Sequence, residues 1–153
     1  MKNKLNIIAE IAQGYEGSLE QSKLLIKAAA KAGADEVKFQ MVYADELSTV
    51  DYKHHSLFKE LEMSDAQWKL LNDYALSFGT KLIVDVFGLK SLKTAQKINI
   101  NTIKVHGTDV TNLALLEAIA ISPIKKVILG LGGAYWEEIE KAIKILKCKD
   151  LIL

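Results

Sequence analysis

Six polar side chains stand near the ends of apolar runs in this sequence, and their types are those that bind anions and move protons. They are two acids, two lysines, an amide and an imidazole: Glu10, Lys38, Gln40, Asp85, Lys104 and His106. Lysines beside an apolar interior are poor packing residues, because an isolated charge in a low-dielectric environment is expensive. They are suitable point charges for an anionic ligand such as a phosphate or a carboxylate.

The two acids leave more than one interpretation open. Glu10 and Asp85 could transfer protons, bind a metal or balance the lysines. The simplest alternative is a set of mutual ion pairs, Lys38 with Glu10 and Lys104 with Asp85, that fills the mouth of the fold without binding a ligand. A convergence of all six residues at one place would favour a ligand site.

Three further features have both a structural and a functional interpretation. Tyr15 follows the first apolar run beside Gly14, and we predict that it contacts a substrate. The glycine-rich segment 130–133 could approach a phosphate with backbone N–H groups, although a tight turn explains it equally well. Trp68 and Trp136 fall within helical patterns, which predicts that both pack in the core.

The elements that must position these residues follow from an alternation of short apolar runs and longer amphipathic ones. Strands are predicted over residues 5–11, 36–41, 80–87, 102–106 and 126–131, and a sixth begins at 150. Helices are predicted over 18–32, 64–79, 91–98, 112–120 and 135–146, with a polar segment over 42–63. Ser18 with Gln21, and Ser64 with Gln67, have the spacing of capping boxes at helix starts.

Five repeated βα units predict an α/β fold with a parallel sheet, either doubly wound or a barrel. Alternation within the strands favours the barrel, because Lys38 and Gln40 share one face while Val37 and Phe39 share the other. In a (β/α)8 barrel the polar face is the interior, and its carboxyl-terminal end carries catalytic residues. We therefore predict an incomplete TIM-type barrel of about five βα units plus the start of a sixth strand.

Composition narrows the class of protein. The chain has 153 residues, with 20 Lys and Arg against 19 Asp and Glu, so its net charge is +1. A nucleic-acid partner is not expected, because phosphate neutralisation usually needs a clear basic excess. The single cysteine excludes an intrachain disulfide and a Cys-rich zinc site. Residues 1–11 do not match a signal peptide and no run reaches a membrane span, so we expect a cytoplasmic protein without a membrane partner.

Several motifs resemble one enzyme family over nearly the whole chain. They are Ile8-Ala9-Glu10-Ile11, Val37-Lys38-Phe39-Gln40, Ile103-Lys104-Val105 and Asp109 followed by Thr111-Asn112-Leu113. In this order they resemble the opening of N-acetylneuraminate (sialic acid) synthases. The resemblance implies that residues 1–153 are the N-terminal part of a TIM barrel, followed in the family by a small antifreeze-like domain in a domain-swapped dimer.

The resemblance also implies a reaction. The family condenses phosphoenolpyruvate with N-acetylmannosamine or a related amino sugar, which gives a sialic-acid-type 2-keto acid and phosphate. It implies that Glu10 lies at the reaction centre and that Lys38 and Lys104 bind phosphoenolpyruvate. We predict that Gln40, Asp85 and His106 are neighbouring substrate contacts specific to this chain. The family uses manganese or magnesium, and its two metal-binding histidines match no residue of this chain.

Departures from the family pattern keep alternatives open. Asp85 stands where the family has a threonine that helps bind phosphoenolpyruvate, and His106 stands where the family has a small residue. One alternative is therefore a catalytically inactive sugar- or phosphate-binding or regulatory partial barrel. Another is a different phosphoenolpyruvate-condensing or phosphosugar barrel enzyme. Because an unclosed barrel leaves strand edges, we expect a homodimer or other self-association, and no activity from these 153 residues alone.

Overall fold

The computed structural model describes residues 5–153, which form a parallel sheet of six strands flanked by helices. The strands are β1 (Ile8–Ala12), β2 (Glu36–Gln40), β3 (Lys81–Val86), β4 (Thr102–Val105), β5 (Lys126–Leu129) and β6 (Asp150–Ile152). Their order across the sheet is the order along the chain, and β1 does not pair with β6. This sequential order is that of a barrel, because a doubly wound sheet reverses direction at a switch point. The predicted incomplete barrel is confirmed.

Seven α-helices connect or precede these strands in the described part of the chain. They are α1 (Leu19–Lys31), α2 (Ala44–Leu47), α3 (His55–Glu60), α4 (Asp65–Ser77), α5 (Leu89–Lys97), α6 (Leu113–Ile121) and α7 (Trp136–Leu146). The five long helices confirm the predicted ones. The short helices α2 and α3 lie in the segment 42–63, which was predicted only as polar. The sequence does not indicate them, because neither is long enough to show a helical period. None of the helices in residues 5–153 has the length and apolar character needed to cross a bilayer.

Strand register places the polar side chains on one face of the sheet. Glu10 is paired with Lys38 in neighbouring strands, and Asp85 is paired with both Gln40 and Lys104. The residues between them in sequence are buried in one apolar core with residues of the helices, among them Val37, Phe39, Val84, Val86, Ile103 and Val105. The predicted two-residue alternation is therefore confirmed. Residues 1–4 of the segment predicted not to be a signal peptide lie outside the described residues.

An aromatic cluster anchors the helix side of the sheet. The fully buried rings of Tyr15, Phe39 and Trp68 contact one another, with centroids separated by 5.6–6.1 Å. The prediction of a core position is confirmed for Trp68 and is wrong for Trp136, which is 64% exposed. Trp136 begins α7, and its indole Nε1 donates to Glu140 on the solvent side of the same helix.

The two predicted capping boxes differ in outcome. At α4 both reciprocal bonds of the box are present. At α1 the Ser18 hydroxyl accepts from the backbone N–H of Gln21, but the Gln21 amide donates to the carbonyl oxygen of Gly14 instead of reaching back. The Gln21 prediction is wrong because the Ser18 backbone N–H, from which Gln21 would accept, already donates to the Tyr15 carbonyl oxygen at 2.8 Å.

Replacing Ser64 by alanine is expected to lower the free energy of unfolding by about 1 kcal/mol, since it removes the acceptor for an N–H at the start of α4. The bond in question joins the Ser64 hydroxyl and the Gln67 backbone N–H at 3.3 Å. Urea denaturation followed by circular dichroism measures the loss. The matched control is Ser77→Ala at the other end of α4, expected to change stability by less than about 0.5 kcal/mol. Equal losses would contradict the capping role.

Candidate functional site

Four of the predicted site residues meet at the carboxyl ends of β1–β4. The Lys38 ammonium donates to both carboxylate oxygens of Asp85, at 3.0 and 3.2 Å, and also forms an ion pair with Glu10 Oε2. The Lys104 ammonium lies 3.5 Å from Asp85 Oδ2. These four residues, Glu10, Lys38, Asp85 and Lys104, are called the charged cluster below. Both ion pairs of the structural alternative are present, joined into one network through the contact between Lys38 and Asp85.

Burial decreases in steps across the charged cluster. The Asp85 side chain is fully buried, that of Lys38 is 7% exposed, that of Lys104 is 24% exposed and that of Glu10 is 50% exposed. Two positive and two negative charges give a neutral cluster, which is the condition under which charges are tolerated inside a protein. A solute that approaches from the solvent therefore meets Glu10 and Lys104 first.

A bulge in β1 sets the position of Glu10. The pairing of β1 with β2 shifts between Glu10 and Ala12, and Ala12 has a positive φ of 52°. The Ala12 backbone N–H then donates to Glu10 Oε1 at 3.0 Å. With one oxygen bound to this N–H and the other on Lys38, the carboxylate is held at the strand end while half of its surface stays accessible. Bulges commonly orient side chains beside active sites in this way.

Gln40 and His106 border the charged cluster without joining its ion pairs. Gln40 is partly buried in register with Asp85 at the end of β2. His106 follows β4, its Nδ1 atom lies 3.1 Å from the Thr108 hydroxyl, and its ring packs near the Phe87 ring. All six residues with which the sequence analysis began therefore reach the same end of the sheet.

The prediction that Tyr15 contacts a substrate is wrong. Its side chain is fully buried in the aromatic cluster, and its hydroxyl donates to the carbonyl oxygen of Gln40 at 3.0 Å. Burial raises the pKa of this hydroxyl far above its ordinary value, so it stays neutral. The ring packs against Phe39 and Trp68, so it lies inside the core and not at the open end of the sheet.

Asp109 is a further candidate residue, which the sequence indicated only as part of a family motif. It lies in the 3-10 turn after β4, and its carboxylate accepts from the Asn112 amide at 3.1 Å and from the Thr108 hydroxyl at 3.4 Å. Desolvation raises the pKa of this carboxyl above its ordinary value. A carboxyl with a raised pKa at a strand end is a candidate proton donor. The sequence does not show that the Asp109 carboxyl is partly buried, because that burial depends on how the turn packs.

Asp109→Asn is expected to make the protein more stable at pH 7 and to lose this advantage as the pH falls toward 4. The folded-state pKa of Asp109 is raised, so the native state binds the proton more tightly than the unfolded state does. Its contribution is therefore favourable at low pH and is lost as pH rises through the folded-state pKa. Urea denaturation at several pH values tests this difference. An advantage for the variant that is independent of pH would contradict the assignment.

The segment 130–133 forms a tight turn, as the structural interpretation predicted. The Gly130 N–H donates to the Val105 carbonyl at 2.9 Å, so it is already engaged. A Cβ on Gly107 would lie 2.6 Å from the Gly132 carbonyl oxygen, and one on Gly130 would lie 2.9 Å from the Gly107 nitrogen. Glycine is needed at these positions because the loops after β4 and β5 pack backbone against backbone.

The described residues do not fit a resident metal ion. No group of three His, Cys, Asp or Glu side chains within residues 5–153 is arranged to hold one. Both acids of the charged cluster contact the Lys38 ammonium, which competes with any cation for their oxygens.

Comparison with known proteins identifies relatives with the same fold. The sequence model of the NeuB family matches residues 25–153. A protein of Methanocaldococcus jannaschii described as uncharacterized is 35% identical over 96% of this chain and 44% of its own length. The N,N'-diacetyllegionaminic acid synthase of Campylobacter jejuni is 32% identical over 98% of this chain and 48% of its own length.

A solved structure supports the same relationship. The crystal structure of N-acetylneuraminic acid (sialic acid) synthetase from Leptospira borgpetersenii, in complex with citrate, aligns with a TM-score of 0.91 at 29% identity. The alignment covers 97% of this chain and 53% of that one. The chain thus spans about half the length of the relatives it matches.

Proposed function

The chain belongs to the NeuB family, and on that premise we propose that it forms the phosphoenolpyruvate-binding part of a sialic-acid-type synthase. The proposed reaction condenses phosphoenolpyruvate with an amino sugar of the N-acetylmannosamine type. The observation that carries the proposal is the charged cluster, with two lysines at the carboxyl ends of parallel strands, where barrel enzymes bind their substrates.

The chemistry requires an anion site, a proton donor and an orienting carboxylate. Carbon 3 of phosphoenolpyruvate bonds to the aldehyde carbon of the sugar, water adds at carbon 2, and inorganic phosphate leaves. The former aldehyde oxygen takes up a proton as negative charge develops on it. We assign the anion site to Lys104 and Lys38 and substrate orientation to Glu10. We assign proton donation to Asp109, which lies in the 3-10 turn directly after His106 and whose pKa is raised by desolvation.

The divalent ion expected from the resemblance, manganese or magnesium, stays outside this assignment. Residues 5–153 contain no donor group arranged for it. We therefore propose that any metal ligands are supplied by other polypeptide, and the roles given to Lys104, Lys38, Glu10 and Asp109 are independent of the metal. The expected homodimer or other self-association is likewise a proposal, and the roles of these four residues do not depend on it.

A second candidate function is a partial barrel of the same family that binds a sugar or phosphate without turnover. The favouring observation is that the charged cluster is neutral, since Asp85 and Glu10 balance both lysines. A phosphate-release assay with phosphoenolpyruvate, a series of 2-acetamido sugars and added manganese or magnesium separates the two. Release that depends on both substrates supports the synthase, and binding without release supports the second candidate.

Lys104→Met is expected to weaken phosphoenolpyruvate binding by the natural full-length protein at least about tenfold, the scale of one charge-assisted hydrogen bond. Lys104 is the more exposed lysine of the charged cluster, with a single contact to Asp85 at 3.5 Å. Calorimetric titration measures the dissociation constant. The matched control is Lys126→Met in β5, which removes a positive charge paired with Asp150. Similar losses in both variants would refute the anion site.

A further inference from the structure

Two carboxylates surround the Lys38 ammonium. It donates to both carboxylate oxygens of Asp85, at 3.0 and 3.2 Å, and forms an ion pair with Glu10 Oε2. The side chain is only 7% exposed. An incoming anion therefore meets a buried ammonium already paired with two acids, and close contact with it is favoured only when one of these carboxylates moves away.

Lys104 has the opposite character. Its one contact in the charged cluster is the longer ion pair with Asp85 Oδ2 at 3.5 Å, and its side chain is 24% exposed. Asp85 lies between the two lysines, fully buried, with one oxygen within ion-pair distance of each. A carboxylate held by two ammonium groups in this way occupies the position that the carboxylate or phosphate of a ligand would take.

We propose that Asp85 is a built-in occupant of the anion site, and that it determines how tightly and with what charge an anion binds. The inference rests on the proposed anion site and deepens it. In the resting protein Lys104 makes the first contact, and Lys38 joins only when the carboxylate of Asp85 is displaced. The site consequently disfavours highly charged anions, because Asp85 adds a negative charge where the ligand's charge would be placed.

The test compares inorganic phosphate binding by the wild-type protein, Asp85→Asn and Asp85→Ser, measured by calorimetric titration. The asparagine amide keeps the volume of the Asp85 side chain and removes its charge, whereas serine removes the charge and reduces the volume. We expect the dissociation constant to fall at least about fivefold in Asp85→Asn and at least about tenfold in Asp85→Ser. The matched control is Asp150→Asn, which removes an acid paired with Lys126 outside the charged cluster and should change the constant less than twofold. No gain in either Asp85 variant would overturn the proposal.

A double-mutant cycle identifies the lysine that is released. Lys38→Met should change phosphate affinity less than threefold when Asp85 is present and at least about tenfold when serine replaces it. Equal effects in the two backgrounds would mean that Asp85 does not withhold Lys38.

A measurement on the wild-type protein does not depend on whether these variants fold. Titration with phosphate should shift the side-chain 15N resonance of Lys104 and leave that of Lys38 unchanged. Equal shifts would contradict the proposal. Its failure is distinguishable from that of the proposed function, because none of these measurements needs sugar, metal or turnover. Loss of phosphoenolpyruvate binding in Lys104→Met, combined with no gain in the Asp85 variants, would retain the anion site and reject its occupant.

Discussion

Lys38→Met is expected to lower the free energy of unfolding by about 3–5 kcal/mol, the range seen when one partner of a buried ion pair is removed. The reason is the fully buried Asp85 carboxylate. Without Lys38 it loses two short contacts, and among residues 5–153 it keeps only the ion pair with Lys104 at 3.5 Å. Glu10 contributes little to the loss, because half of its side chain is already exposed.

Urea denaturation of Lys38→Met and of a matched surface variant measures this effect. Lys69 pairs with Asp73 across one turn of α4, and both side chains are about half exposed. Lys69→Met should therefore change stability by less than about 0.5 kcal/mol. Adding Asp85→Leu to Lys38→Met should recover most of the loss, since no buried charge then lacks its partner. A double variant no more stable than Lys38→Met would contradict this explanation.

Trp68→Ala is expected to destabilise the protein by a similar amount, about 3–5 kcal/mol, through the cavity it would leave. The ring is fully buried and contacts both Tyr15 and Phe39 edge-on, with centroids 5.6 and 6.1 Å away. Its indole N–H has no hydrogen-bond partner within residues 5–153, so burial of apolar surface accounts for its contribution.

The chain supplies a control for this prediction in its other tryptophan. Trp136→Ala should cost less than about 1 kcal/mol, because that ring is largely exposed on the first turn of α7. Thermal and urea denaturation of both variants give the comparison. Trp68→Ala also removes packing behind Phe39, which lies next to Lys38 in β2, so weaker phosphate binding would accompany the lost stability. Comparable losses for the two tryptophans would contradict the proposed core.

The charged face of the sheet was predictable, and so were two of its ion pairs, but the contact between Lys38 and Asp85 that joins them was not. Alternation along β2 predicts that Lys38 and Gln40 share a face, because strand geometry has a strict period of two. The contact between Lys38 and Asp85 joins residues 47 positions apart. Which of several acids a lysine selects depends on register and burial, which a single sequence does not show.

The prediction for Tyr15 was wrong for a related reason. A loop at the carboxyl end of a strand is normally accessible, and that rule predicts a substrate contact. Here the side chain packs against the rings of Phe39 and Trp68, and its hydroxyl donates to the Gln40 carbonyl oxygen. Side-chain direction in a loop follows from tertiary packing, whereas side-chain direction in a strand follows from the backbone itself.

The sequential strand order has a consequence for how the chain acquires its structure during synthesis. Each strand pairs only with the strands immediately before and after it in sequence. The sheet can therefore grow by one βα unit at a time as polypeptide leaves the ribosome, because each new strand pairs with the strand made just before it. The charged cluster is then assembled in the same direction: β3 brings Asp85 to the ammonium of Lys38, and β4 adds Lys104 last.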